Sequence, residues 1–90
     1  MRIDRFLKLA SLVKRRAMAQ EMVEVGAVRL NGKTVKPSAD VEAGDAIELA
    51  FPRRLIAVEV LTSDERALKR KTAAFRINAD RRLGEDEKPW

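Results

Sequence analysis

The 90-residue sequence has no cysteine, no histidine and no tyrosine, and only three phenylalanines and one tryptophan. It therefore has no disulfides, none of the usual ligands of zinc or iron–sulfur sites, and no cysteine- or histidine-based catalysis. A glycine-rich loop of the nucleotide-binding type is also missing. Its clustered carboxylates, Asp64-Glu65 and Glu85-Asp86-Glu87, fall in segments expected to be exposed, whereas acid–base catalysis needs a rigid, desolvated pair. We expect no enzymatic activity and no cofactor.

Long apolar runs are absent as well. No run approaches the ~18 residues that cross a bilayer, and Asp4, Arg5 and Lys8 interrupt the apolar residues where a signal peptide would need them unbroken. We expect a cytoplasmic monomer with no membrane partner. The length allows one small domain, since independent domains usually need about 50–200 residues.

Positive charge is in excess, with 19 lysines and arginines against 14 acidic residues. The charges are segregated: residues 1–16 and 66–82 are basic, whereas 17–52 and 84–88 are acidic. A protein with this distribution can present a basic face to a phosphate polymer, but scattered solvated charge fits it equally well, and the charge distribution alone does not decide between the two. The acidic 17–52 surface or the charged tail leaves open a second function, a protein-interaction adaptor.

Local patterns predict an α+β fold. Apolar residues at helical spacing predict a helix over 3–10, and a second helix is expected from Arg16 to Val25, ended by Gly26. Asn31-Gly32 then indicates a type I′ hairpin, and alternating apolar residues predict strands over 47–51 and 56–60. The predicted architecture is two N-terminal helices packed on a small, mostly antiparallel sheet, with a marginal C-terminal helix or tail.

The pattern weakens after Thr62. We expect an RNA-binding domain over 1–62 and a charged, partly flexible extension over 63–90. In that extension, residues from Ser63 through Phe75 can form a marginal helix that Phe75 anchors, whereas repulsion among its basic residues disfavours order. The terminal Trp90 is expected to be disordered.

Basic residues at the start of the second helix are the strongest functional signal. Each cation at a helix N-terminus interacts unfavourably with the helix dipole and destabilises the helix by ~0.3–1 kcal/mol. Helix stability therefore does not explain the presence of Arg15 and Arg16 at this position. If the helices pack as a hairpin, these arginines join the basic side of the first helix in a rigid pad for RNA phosphates. The pad requires Arg2 and Arg16 on the same flank and free of internal ion pairs. The candidate RNA-binding residues are Arg2, Asp4, Arg5, Lys8, Lys14, Arg15, Arg16 and, on the hairpin, Lys33.

The aromatic and polar residues near these cations indicate which type of nucleic acid the protein binds. Phe6 and Phe51 lie on predicted core stripes, so no set of exposed aromatics can stack single-stranded bases, and structured RNA is expected. A helix-turn-helix interpretation for DNA is weaker, because the second helix would offer base edges only Ala17, Met18, Gln20 and Glu21.

Residues 2–49 resemble the RNA-binding domain named after ribosomal small-subunit protein four, the alpha-L motif. The matching positions are Arg2-Ile3-Asp4, Leu7, Arg16, Ala19, Val23, Gly26, Val28, Asn31-Gly32, Val35 and Gly44-Asp45. Arg15 departs from the motif, which usually has a small hydroxyl residue there. The resemblance implies that Arg2, Asp4 and Arg16 contact RNA, with the orientation of a neighbouring arginine as an alternative role for Asp4.

As a stand-alone domain the sequence resembles the RqcP-like ribosome quality control factors and is related to the fifteen-kilodalton heat-shock protein. The resemblance implies binding of 23S rRNA and tRNA on large ribosomal subunits obstructed by peptidyl-tRNA. It also implies support of the C-terminal tailing of stalled nascent polypeptides by a partner of the RqcH/NEMF family. A heat-shock-type role in subunit recycling is the alternative.

Overall fold

A computed structural model of the protein describes residues 1–70 and 73–90. The predicted α+β architecture is confirmed, with helices at the N-terminus and an antiparallel sheet after them. The elements in sequence order are α1 (Ile3–Leu9), α2 (Arg16–Glu24), β1 (Val28–Leu30), β2 (Lys33–Thr34), β3 (Ala46–Phe51), β4 (Arg54–Val60), α3 (Glu65–Lys69) and β5 (Phe75–Arg82). None of the helices in the described ranges has the length and apolarity that a bilayer span requires.

The strands form one five-stranded sheet in the order β2-β1-β3-β4-β5, with each neighbouring pair antiparallel. The β1–β2 turn has φ of 51° at Asn31 and 82° at Gly32, the left-handed values that the predicted type I′ turn needs. Asn31 also fixes the start of β3, because its side-chain oxygen accepts the Ala46 N–H at 2.9 Å. One residue thus joins the hairpin to the central strand.

The core lies between the two N-terminal helices and one face of the sheet. Alternate residues of β3 and β4 point into it, as expected for strands with one solvated face. The helices contribute their apolar stripes. The largest fully buried apolar side chains are Phe6, Ile3, Leu7, Ile47, Leu49, Val23, Val28, Val41, Val58 and Val60.

The C-terminal extension contains a strand that the sequence analysis did not predict. The marginal helix is present as α3 but ends at Lys69, and Phe75, expected to be its last residue, begins β5 instead. Without β5, the outer edge of β4 would expose a row of unpaired backbone N–H and C=O groups. The predicted repulsion is offset by acids distant in the sequence, since Glu59 accepts a hydrogen bond from Arg76 at 2.7 Å.

Beyond β5 the backbone stays close to the sheet. The Leu83 side chain is buried, and its N–H donates to the Arg53 carbonyl at 2.9 Å. Trp90, expected to be disordered, has its ring centroid 4.8 Å from the Arg29 guanidinium carbon, the geometry of a cation–π contact. The predicted anchoring role of Phe75 agrees with its packing against the core. The predicted helix over 63–75 includes Lys71 and Thr72, which lie outside the described residues.

The division into 1–62 and 63–90 stays a prediction, and Leu68 provides a test of it. Leu68 on α3 is only 3% exposed and belongs to the same core as α1. Replacing it by alanine should lower the free energy of unfolding by about 2–4 kcal/mol in urea titrations, through lost burial and a cavity. Leu61→Ala is the matched control, because Leu61 is 41% exposed. Equal effects of the two substitutions would mean that the extension adds nothing to the stability of 1–62.

Candidate nucleic-acid interface

A short, anchored connection brings the start of α2 back beside the start of α1. Ser11 adopts a left-handed φ of 61° directly after α1. The N–H groups of Leu12 and Val13 both donate to the Leu7 carbonyl, at 3.0 and 3.2 Å, and Val13 is buried in the core. The backbone therefore reverses within a few residues, and Arg16 at the start of α2 faces the first turn of α1.

The Asp4 carboxylate is the centre of the site and is fully buried. It accepts hydrogen bonds from Arg2 (Nε at 3.3 Å, Nη2 at 3.1 Å), from the Arg5 backbone N–H at 2.7 Å and from the Gln20 amide at 2.9 Å. Arg16 completes the set of donors: its Nη2 lies 3.5 Å from Oδ1 of Asp4, and its Nε lies 3.5 Å from Oδ2. A buried charge is tolerable only when paired and hydrogen-bonded in this way.

The charge state of this site follows from the same contacts. Burial alone raises the pKa of Asp4, but hydrogen bonds from Gln20, the Arg5 N–H and Arg2, with the charge of Arg16, outweigh it and hold the pKa below its ordinary value. Asp4 is therefore ionised at neutral pH. One negative charge is shared by two guanidinium groups, so the Arg2–Asp4–Arg16 cluster remains positive.

Arg2 and Arg16 lie on the same flank, as expected, but the expectation that they are free of internal ion pairs is wrong. Both pair with Asp4, because this buried carboxylate requires counter-charges and both guanidinium groups lie within reach of it. Their side chains remain 48% and 45% exposed. A guanidinium has five N–H donors in a fixed fork, and each arginine directs only two nitrogens at Asp4, so donors remain for an external anion.

The structure assigns Asp4 a different position from the one expected. A side chain with no exposed surface cannot touch RNA, so direct contact by Asp4 does not fit its burial. Its contacts match the alternative role, the orientation of neighbouring arginines. Arg5 also departs from the predicted pad: its side chain turns to α3 and forms an ion pair with Glu65, while its backbone supports Asp4.

The other candidate cations surround the cluster without joining it. Lys8, Lys14, Arg15 and Lys33 are exposed, and none forms an ion pair within residues 1–70 and 73–90. Arg15 is the N-cap residue of α2 and makes no side-chain capping bond, in line with its departure from the motif. Lys33 lies on the edge strand β2, and no hydrogen bond connects it to the cluster in the described part of the protein.

Gln20 is a site residue that sequence reasoning missed. It follows Arg16 by four residues, one helical turn, so both side chains lie on the same face of α2 and reach the same carboxylate. That spacing was the available signal. No group of three acidic, histidine or cysteine side chains comes together as a metal-ligand set among the residues the structure describes.

Two helices in a hairpin, packed on an antiparallel sheet with arginines gathered at the helix starts, define an S4-type module. Residues 1–47 match the family model described as S4 domain. A solved structure, the trimeric heat shock protein 15 of Vibrio cholerae, superposes with a TM-score of 0.77 at 31% identity, covering 88% of this protein and 82% of that one.

Relatives in sequence show to which group of S4-domain proteins the protein is similar. The "RQC P-site tRNA stabilizing factor" of Bacillus subtilis is 36% identical over 86 residues, which are 94% of this protein and 100% of the relative. Heat shock protein 15 of Escherichia coli is 32% identical over 81 residues, 88% of this protein but 61% of that one. The chain belongs to the S4-domain family and, within it, to the group of RQC P-site tRNA stabilizing factors.

Replacing Asp4 by asparagine tests the role of the buried carboxylate. At pH 7 the free energy of unfolding should fall by about 2–4 kcal/mol, because a neutral amide leaves two guanidinium groups without their counter-charge. The pKa of Asp4 is lower in the folded state than in the unfolded state, where it is about 3.9. The stability that ionised Asp4 contributes is therefore complete above the unfolded-state pKa and is lost as the pH falls through the folded-state pKa. Urea titrations should therefore show a constant difference down to pH ~5 and a shrinking one below pH ~4.

Asp40→Asn is the matched control for this experiment. The Asp40 carboxylate is 82% exposed and pairs only loosely with the N-terminal amine, at 3.8 Å. Its substitution should change the unfolding free energy by less than about 0.5 kcal/mol. An Asp4→Asn effect as small as this, or one that persists undiminished at pH 3, would contradict the assignment.

Proposed function

We propose that the protein is a non-catalytic factor that binds structured RNA on the large ribosomal subunit in ribosome quality control. The observation that supports this most is the Arg2–Asp4–Arg16 cluster. It holds two half-exposed guanidinium groups on one buried carboxylate, in a protein related over nearly its full length to P-site tRNA stabilizing factors.

The geometry of the cluster suits phosphate. Guanidinium forks match phosphate oxygens bidentately, and Arg2 and Arg16 are already restrained by Asp4, so little side-chain entropy is lost on binding. Lys14 and Arg15 extend the positive surface along the loop that enters α2. The first N–H groups of α2, a helix of nine residues that begins at Arg16, also favour an anion at this end of the helix.

Structured RNA fits better than single strands or DNA. Phe6 is fully buried, and Phe51 and Phe75 pack against the core, so these rings are not available as a stacking platform. Gln20, the amide on α2 best suited to reading a base edge, is bound to Asp4. The site therefore offers charge and shape rather than base recognition.

The finer assignment rests on the relatives. We infer that this protein contacts 23S rRNA and a P-site tRNA on obstructed large subunits, in the cytoplasm, and supports tailing by an RqcH/NEMF-family partner. We expect it to act as a monomer, which sedimentation of the free protein tests against the trimeric state of its structural neighbour from Vibrio cholerae. A heat-shock-type recycling role is the second candidate, favoured by the likeness to heat shock protein 15.

Arg16→Ala should weaken binding to deacylated tRNA and to purified large subunits by roughly tenfold, since it removes a charge-assisted contact. If about five phosphates are neutralised, the logarithm of the wild-type binding constant should fall with log salt at a slope near −3.5 to −4.5, and the variant's slope should be about 0.7–0.9 shallower. Fluorescence anisotropy across a salt series measures both.

Arg66→Ala is the matched control for Arg16→Ala. Arg66 is an exposed arginine on α3 without an ion pair in residues 1–70 and 73–90, so its loss removes the same charge away from the cluster. Equal losses for the two variants, or binding indifferent to salt, would contradict the proposed interface. Protein partners that survive nuclease and high salt in pull-downs would favour the adaptor function instead.

A further inference from the structure

A second group of arginines lies where β3 turns into β4. Arg53 is in the turn, Arg54 begins β4 and Arg82 ends β5. Arg54 and Arg82 are direct cross-strand partners, so their side chains leave the sheet on the same face. Together with Asp80 and Leu83, the three arginines line an open cleft of about 680 Å³.

The stability of the sheet does not account for this arrangement. Like charges directly opposite each other on neighbouring strands are destabilising. Asp80 binds Arg54 with both carboxylate oxygens, one of them at 2.7 Å from Nε, and this pairing lowers the pKa of Asp80. Arg82 has no ion pair among the described residues. The cleft therefore keeps a guanidinium without a counter-charge, so it carries net positive charge, as the Arg2–Asp4–Arg16 cluster does.

The cleft is on the same side of the sheet as the helices. Phe51 is the cross-strand partner of Arg54 and points to that face. Phe51 also lines a neighbouring cleft of about 380 Å³ together with Lys14 and Met18. Phe51 thus shares a cleft with Lys14 and is paired across the strands with Arg54, so the arginines of the β3–β4 turn lie on the side of the sheet that carries the basic residues before α2.

The acidic tail approaches these arginines in the free protein. Glu85 Oε1 lies 3.4 Å from Arg53 Nη2, whereas Glu87 pairs with Arg81, which neighbours Arg82 in β5 and therefore points to the other face of the sheet. The Arg53–Glu85 pair is 73% and 79% exposed, and exposed pairs of this kind contribute little to stability. A stronger anion can therefore replace the tail carboxylate at small cost.

We propose that Arg53, Arg54 and Arg82 form a second contact surface for the phosphate backbone of RNA, which Glu85 of the tail partly occupies until RNA displaces it. The inference rests on the proposed function and extends it, because it adds a second set of phosphates to the one met by Arg2 and Arg16. The tail carboxylate then competes with RNA for the second contact surface. It lowers the affinity of the protein for short or weakly charged RNA, and it is displaced by an RNA surface large enough to contact both arginine clusters.

The first test compares Arg82→Ala with Arg76→Ala in binding to deacylated tRNA. Both substitutions remove one exposed arginine from β5, but Arg76 pairs with Glu59 on the opposite face of the sheet. Arg82→Ala should weaken binding roughly tenfold and make the salt slope about 0.7–0.9 shallower. Arg76→Ala should stay within about twofold of wild type. Equal effects would overturn the second surface.

The second test leaves the fold untouched and removes the tail charge. Glu85→Gln should tighten tRNA binding about threefold at low salt, because Arg53 loses its internal partner. Asp86→Asn makes the same change of charge one residue away, and Asp86 has no ion pair in the described ranges. The gain should disappear when Glu85→Gln is combined with Arg53→Ala. A gain equal to that of Asp86→Asn, or one that survives Arg53→Ala, would contradict the role of the tail.

Arg16→Ala, measured in parallel, separates this inference from the proposed function. If Arg16→Ala weakens binding while Arg82→Ala and Arg76→Ala are indistinguishable, the second surface is wrong and the first stands. If the wild-type protein shows no salt-dependent binding to tRNA or large subunits, both are wrong.

Discussion

The hydrogen-bonded carboxylate of Asp4 links the two N-terminal helices and constrains their relative orientation. A fully buried carboxylate is costly unless its oxygens find donors. Those donors come from both helices: Arg2 and the Arg5 N–H at the start of α1, and Arg16 at the start of α2 with Gln20 one turn later. Satisfying one charge therefore fixes the helix hairpin and restrains two long, flexible side chains at the same time.

Both arginine clusters contain fewer carboxylates than guanidinium groups: Asp4 serves Arg2 and Arg16, and Asp80 and Glu85 serve two of the three arginines Arg53, Arg54 and Arg82. The carboxylates lower the repulsion between the arginines, yet each cluster stays positive and presents donors in a defined arrangement. The two clusters differ in burial. Asp4 is inaccessible and holds its arginines permanently, whereas Asp80 and Glu85 are exposed, so a polyanion can compete for their partners. Placement of the charge, more than the net +5, makes the protein a candidate RNA binder.

Elements specified by short-range signals were predicted closely. The first two helices agree with their predicted bounds to within a residue or two, and the Asn31-Gly32 turn has the predicted backbone, because spacing, caps and turn residues act locally. Strand β5 was missed because its charged residues give no alternating apolar pattern. Its stability comes from backbone pairing with β4, while pairs such as Arg76–Glu59, which join residues 17 positions apart, reduce the repulsion among its basic residues.

The features of the candidate site also divide into those that the sequence specifies locally and those that depend on the tertiary structure. The sequence alone determined that the protein is basic at the starts of both helices, has no cysteine or histidine, and resembles a known motif at positions that include Arg2, Asp4 and Arg16. Only the tertiary structure decided that Asp4 is buried under those arginines, that Arg5 turns to Glu65, and that Arg54 meets Arg82 across the sheet. Composition and periodicity describe neighbours within a turn of helix or along one strand. Which charges share a partner depends on backbone reversals that bring distant residues together, and no local pattern encodes that pairing.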